Sequence, residues 1–136
     1  MPYARIWIHV VWSTKLRAPS LEKNIREKVF NHIRANARKK RIVLDCINGY
    51  DDHVHCLIGL KNSQSIASVV HLLKGESSHW INQENLCDHY FLWQEEYWAA
   101  SVCEERLKGL RKYIADQEHH HNRQIEEYLH SLLPRD

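Results

Sequence analysis

The hydrophobic residues of this chain change their spacing in an order that few folds accommodate. Residues 3–14 alternate between two sides, as the side chains of a β-strand do. Residues 21–37 then place an apolar side chain every three or four positions, which predicts an amphipathic helix with Ser20 at the capping position. The chain is therefore expected to begin with a strand followed by a long helix.

A predicted hairpin comes next. Residues 42–48 and 54–60 are short, apolar and rich in β-branched side chains, which is typical of strands. The Gly49-Tyr50-Asp51-Asp52 segment between them has the composition of a turn, and it is short enough to join antiparallel neighbours. These two strands should therefore pair directly with each other.

The second half of the chain repeats the change from helix to strand. Either Ser63 or Ser65 is expected to cap a second helix that ends near Glu84. The remaining predicted elements are, in order, a strand over 90–102, a helix over 104–121 and a short helix over 123–133.

The order β-α-β-β-α-β followed by helices predicts one particular α+β fold. It is that of a ferredoxin-like or RRM-like sandwich, with an antiparallel sheet, helices on one face and additional C-terminal helices. Residues 1–136 should form a single domain, because 43% hydrophobic and 26% charged residues suit one globular core and no linker interrupts the pattern. No apolar stretch approaches the roughly 20 residues that span a bilayer, so we expect a cytoplasmic protein without a membrane partner.

The basic residues are unevenly distributed. A formal charge of +2 permits nucleic-acid binding but does not predict it. Four cations nevertheless stand together at the end of the first helix, where they would either complement the helix dipole or guide a DNA backbone. This basic cluster consists of Arg38, Lys39, Lys40 and Arg41.

Two histidines at the start of the third strand form the most suggestive local motif. His53 and His55 are separated by one residue, so a strand would aim both imidazoles at the same face of the sheet. Two neutral imidazoles on one face can hold a divalent cation. The alternative is a pair of surface histidines without a ligand.

A second pair lies in the third helix. Tyr113 and Gln117 are four residues apart and therefore project from the same face. A tyrosine hydroxyl can attack a phosphodiester, and an amide oxygen can bind Mg²⁺ or Mn²⁺. Spacing alone favours the plainer interpretation, in which Tyr113 borders the core and Gln117 faces solvent.

Considered together and in order, these motifs resemble the single-tyrosine HUH transposases of small bacterial insertion sequences, including their REP-associated relatives. The resemblance runs over almost the whole chain. The segments that carry it are His9-Val10-Val11-Trp12-Ser13-Thr14-Lys15, Asp52-His53-Val54-His55, Leu73-Lys74-Gly75-Glu76-Ser77-Ser78, Trp93-Gln94-Glu95-Glu96-Tyr97 and Tyr113-Ile114-Ala115-Asp116-Gln117.

The resemblance implies an enzyme that cuts and rejoins single-stranded DNA next to hairpin ends. It implies that His53, His55 and Gln117 bind Mg²⁺ or Mn²⁺, and that Tyr113 becomes linked to a 5′-phosphate. It also implies a homodimer, in which the tyrosine helix completes the metal site of either its own subunit or the partner. A domesticated protein that binds hairpins without cutting them is the main alternative. An RNA-binding module fits less well, since the third strand carries histidines instead of stacking aromatics.

Three further residues are weaker candidates. His9 lies on the first strand and is expected either to pack structurally or to approach the metal site from outside its ligands. Lys74 and Ser77 lie within one helical turn, where they would either contact a DNA phosphate or face solvent.

Residues 119–121 are three consecutive histidines. A helix would point them in different directions, so they are expected to form a solvated basic end and not a metal site.

Overall fold

The computed structural model of the protein describes residues 4–117 and 123–132. Its strands are β1 (Ile6–Ser13), β2 (Val43–Gly49), β3 (His53–Leu60) and β4 (Trp98–Val102), and its helices are α1 (Lys23–Lys39), α2 (Ile66–Gln83), α3 (Leu107–Ala115) and α4 (Arg123–Ser131). The strands form one sheet in the order β2-β3-β1-β4, and all neighbouring strands are antiparallel. The predicted ferredoxin-like α+β fold is confirmed.

One face of the sheet carries the main hydrophobic core. Alternate residues of β1 and β3, among them Val10, Trp12 and Cys56, point to this face and are buried. Helices α1 and α2 cover them with apolar side chains such as Ile33 and Leu73, so that both helices bury the stripe that their periodicity predicts. This half of the molecule is the helix-on-sheet sandwich expected from the sequence.

The opposite face carries the histidines and is covered by the C-terminal helices. Val11 is paired with His55 on one side and with Trp98 on the other, and paired side chains of antiparallel strands lie on the same face. Helix α4 packs Ile125 and Leu129 against Val11, while α3 packs against Leu57 with Leu107 and Ile114. Helix α3 is thus fixed over the face that His55 occupies.

Three details of the predicted elements are wrong, and the third is the extent of α3. Ser20 does not cap α1, which begins at Lys23; its hydroxyl lies 2.9 Å from Nε2 of His89 instead. The strand predicted over 90–102 is confined to β4, because the side-chain amide of Asn82 binds both the N–H and the carbonyl of Phe91 and takes the place of a strand partner.

One predicted helix end is confirmed and another is not. Ser65 is the cap of α2, since its hydroxyl accepts a hydrogen bond from the backbone N–H of Ser68. Helix α3 ends at Ala115 rather than continuing as predicted, and residues 119–121 lie outside the described part of the chain. Among the helices of the described residues, none is long and apolar enough to cross a membrane.

Candidate functional site

His53 is the first residue of β3, directly after the turn that joins β2 to β3. Its side chain lies on the same face of the sheet as that of His55. A Cβ atom at Gly49 would lie 2.1 Å from the carbonyl oxygen of His53, so only glycine permits this close turn. His53 is buried, and its Nδ1 lies 2.8 Å from Oδ1 of Asp52. Because an ionised carboxylate only accepts hydrogen bonds, Nδ1 carries the proton of this contact, and the neutral form of the ring then has its lone pair on Nε2.

Asp52 is itself held by a cation. Nε of Arg17 donates to Oδ2 of Asp52 at 2.9 Å, while Oδ1 accepts from His53. Burial opposes ionisation of the carboxyl, but the hydrogen bond from His53 and the nearby Arg17 charge outweigh it and lower the pKa of Asp52. The carboxylate therefore remains an acceptor that fixes the orientation of the His53 ring.

His55 lies deeper in the same face and is almost fully buried. Its Nδ1 is 3.0 Å from Nε2 of His9, and the two rings stack with centroids 5.2 Å apart. Burial lowers the pKa of His55 well below its ordinary value and lowers that of His9 to about 4. Both imidazoles are therefore neutral at pH 7, the state in which a histidine can bind a metal.

Tyr113 reaches the histidines from α3 within the same chain. Its ring centroid lies 5.8 Å from that of His55 and 6.3 Å from that of His9, with edge-to-face geometry. One turn later, Gln117 is buried and its Nε2 donates to the carbonyl of Tyr113 at 3.0 Å. Asn48 connects this helix end to the sheet, since its side chain donates to the carbonyl of Ala115 and its backbone pairs with His55.

The donor set of this face fits a divalent cation. Within the described residues, no hydrogen bond engages Nε2 of His53, Nε2 of His55 or Oε1 of Gln117. No three His, Cys, Asp or Glu side chains of the described part of the chain converge as a metal cluster, so two imidazoles and one amide oxygen would form an open site. Imidazole nitrogen suits transition metals and amide oxygen suits hard cations, so these residues could hold Mn²⁺ or Mg²⁺.

Ser77 is not placed to contact DNA, because its side chain is fully buried, whereas Lys74 is half-buried. The ammonium of Lys74 donates to the carbonyls of Gln94, Glu95 and Glu96. Ser77 is fully buried, where its hydroxyl donates to the carbonyl of Leu73 and accepts from Nε1 of Trp93 at 2.9 Å. Through these hydrogen bonds, both side chains attach residues 93–96 to helix α2.

This attachment predicts an effect on stability. Replacing Ser77 with alanine should lower the free energy of unfolding by about 1–3 kcal/mol, because the buried indole N–H of Trp93 loses its acceptor. Urea unfolding would measure the change. Ser78→Ala is the matched control, since within the described residues the Ser78 hydroxyl bonds the carbonyl of Gly75 alone and its loss should cost less than about 0.5 kcal/mol. Equal effects of the two substitutions would contradict the assigned role of Ser77.

The basic cluster lies at the other end of the sheet from His53. Arg38, Lys39, Lys40 and Arg41 are all exposed, and within the part of the chain that the structure describes none of them forms an ion pair. They precede Val43, which pairs with Gly59, six residues along β3 from His53. At the rise of a strand, His53 and Gly59 are therefore about 20 Å apart along β3.

Sequence reasoning missed the roles of Asp52 and Arg17. Asp52 directly precedes the histidine pair, and a carboxylate next to a metal-binding histidine is a common orienting partner. Arg17 carries no such signal, because it follows β1 and meets Asp52 only after β1 and β3 have paired.

Comparison with known proteins gives one family and a shared fold. Residues 2–117 match the model of a family described as IS200-like transposases. A candidate transposase from Deinococcus radiodurans R1 is 24% identical over 85% of this chain and 93% of its own, with a TM-score of 0.68. A REP-associated tyrosine transposase bound to a REP hairpin is 15% identical over 84% of this chain and 66% of its own, with a TM-score of 0.58. No curated protein matches the chain.

Proposed function

Because this chain belongs to the family of IS200-like transposases, we propose that it cuts and rejoins single-stranded DNA through a covalent bond to Tyr113. The observation that supports this mechanism most directly is the approach of the Tyr113 ring to within 5.8 Å of the His55 ring. A phenol beside two imidazoles whose Nε2 atoms form no hydrogen bond within the described residues combines a nucleophile and metal ligands in one place.

The reaction needs no external energy source. The phenolic oxygen of Tyr113 attacks the scissile phosphorus, the bond from phosphorus to the 3′-oxygen breaks, and the phenolic proton lost is balanced by protonation of that 3′-oxygen. In the reverse sense, a 3′-hydroxyl attacks the phosphotyrosine, the bond to Tyr113 breaks and the phenol regains a proton. One phosphodiester is exchanged for another through an ester of similar energy.

His53, His55 and Gln117 would hold the metal that assists this exchange. A bound Mn²⁺ or Mg²⁺ supplies polarisation of the scissile phosphate and offsets the charge that develops on the leaving 3′-oxygen. Asp52 orients His53, and the hydrogen bond from the Gln117 amide nitrogen to the carbonyl of Tyr113 restrains the Gln117 side chain. These contacts preorganise the ligands before DNA binds.

The proposed substrate is single-stranded DNA next to a hairpin end. One structural neighbour is a REP-associated transposase bound to a REP hairpin, and this chain shares its fold. The proximity of Tyr113 to His55 within one chain supports a tyrosine that acts in its own subunit. A homodimer with such complete sites is compatible with this arrangement.

The direct test mixes the protein with a labelled hairpin that carries its single-stranded flank. We expect a protein–DNA band that survives a denaturing gel, appears with Mn²⁺ or Mg²⁺ and is absent with EDTA. Hairpin binding on a native gel without any covalent band, on all the flanks tried, would support the non-catalytic alternative instead.

The basic cluster is proposed to contact the hairpin stem. All four of its cations are exposed and form no ion pair within the described residues. Replacing Lys39 and Lys40 with glutamine should reduce the slope of log affinity against log salt by about two, since each phosphate contact contributes roughly one. Lys23→Gln with Lys28→Gln makes the same charge change on exposed positions elsewhere on α1. Equal slopes for the two double variants would exclude a local contact.

A further inference from the structure

His9 is enclosed by the aromatic rings of the candidate site. It is 5% exposed, stacks on His55 and meets Trp98 and Tyr113 edge to face. Its one hydrogen bond within the described residues joins Nε2 to Nδ1 of His55 at 3.0 Å. His9 thus contacts the proposed ligand His55 at Nδ1, the ring nitrogen that would not bind the metal.

A hydrogen bond between two ring nitrogens contains a single proton, so one imidazole donates and the other accepts. If His9 donates, the neutral His55 ring carries its own proton on Nε2 and has no lone pair there. If His55 donates from Nδ1, its Nε2 lone pair is free for a metal. The direction of this one hydrogen bond therefore determines whether His55 can serve as a ligand.

We propose that His9 is a positioning residue, whose Nε2 accepts from Nδ1 of His55 and thereby holds the ligand nitrogen of His55 ready for a metal. The inference rests on the metal site of the proposed function. It is supported by the parallel contact at His53, where Nδ1 donates to Asp52. Each histidine of the pair then has its own outer acceptor, an anionic carboxylate for His53 and a neutral imidazole for His55.

Two substitutions separate this role from simple packing. His9→Leu fills similar space without an acceptor, whereas a glutamine places an amide oxygen near the position of the imidazole Nε2. Calorimetric titration of the metal-free protein with Mn²⁺ should show affinity about 10- to 100-fold weaker for His9→Leu. His9→Gln should retain affinity to within about threefold, and circular dichroism should show both variants folded.

A second measurement does not depend on metal binding. Long-range proton–nitrogen NMR spectra of the metal-free, ¹⁵N-histidine-labelled protein report which ring nitrogen carries the proton. We expect His55 protonated at Nδ1 and His9 protonated at Nδ1. His55 protonated at Nε2, or equal Mn²⁺ affinities of wild type and His9→Leu, would overturn the inference. A wild type that binds no Mn²⁺ would refute the proposed metal site, and the NMR spectra would still decide the direction of the hydrogen bond.

Discussion

Tyr113→Phe is expected to abolish the covalent protein–DNA band, with a loss of at least about a thousandfold, because phenylalanine has no oxygen to attack phosphorus. The substitution keeps the ring, so the contacts with His9 and His55 and the packing of α3 should persist. Affinity for an uncleaved hairpin should therefore change by less than about twofold. The measurement is a denaturing gel of labelled DNA over a time course, with a native gel of the same samples.

Tyr90→Phe is the control for this experiment. Tyr90 is 73% exposed and lies outside the site, so loss of its hydroxyl should leave the covalent band unchanged. A band that persists in Tyr113→Phe would show that another group is the nucleophile. Peptide mapping of the adduct would then identify the residue that carries the DNA.

His53→Ala is the second large effect that we expect. Removal of one of two imidazole ligands should reduce metal-dependent cleavage by about a hundredfold or more. Hairpin binding in EDTA should be preserved, because Asp52 keeps its ion pair with Arg17 and the β2–β3 hairpin keeps its backbone pairing. Cleavage rates across a Mn²⁺ titration would measure the first effect, and native gels the second.

The corresponding control is His79→Ala. His79 is exposed on α2, so its removal should alter neither rate nor affinity. If His53→Ala cut DNA at the wild-type rate with the same Mn²⁺ dependence, the assigned ligand set would be wrong. If it lost hairpin binding as well, His53 would be part of the DNA-binding surface rather than only of the metal site.

The two proposed ligands differ in a way that bears on mechanism. His53 forms a hydrogen bond to the carboxylate of Asp52, and such a partner raises the basicity of a metal-binding imidazole. His55 instead forms its hydrogen bond with the neutral ring of His9. A site with one anionic and one neutral outer partner would leave more positive charge on a bound metal than a site with two carboxylates, and that charge would stabilise the reacting phosphate.

The periodicity of the hydrophobic residues was sufficient to predict the order of the strands and helices and the fold class. The period of two in β1 and the period near 3.6 in α1 follow from where Cβ atoms point in a strand and a helix, so neighbouring residues alone determine them. The same local geometry put His53 and His55 on one face, whereas Gln117 lies in the turn after α3 and not on the helix that carries Tyr113. It failed over 90–102, where Asn82, a residue from another element, satisfies the backbone of Phe91.

What the sequence by itself determined is therefore the element order, the ferredoxin-like architecture and the family motifs, all of which depend on local spacing. Only the tertiary structure decided which motifs meet. It buried Ser77 and engaged Lys74 with backbone carbonyls, although both had appeared able to reach DNA. It also joined His9 to His55 across 46 positions of sequence, and Arg17 to Asp52 across 35. Such contacts arise from strand pairing and helix packing, in which distant residues become neighbours through burial of a shared core.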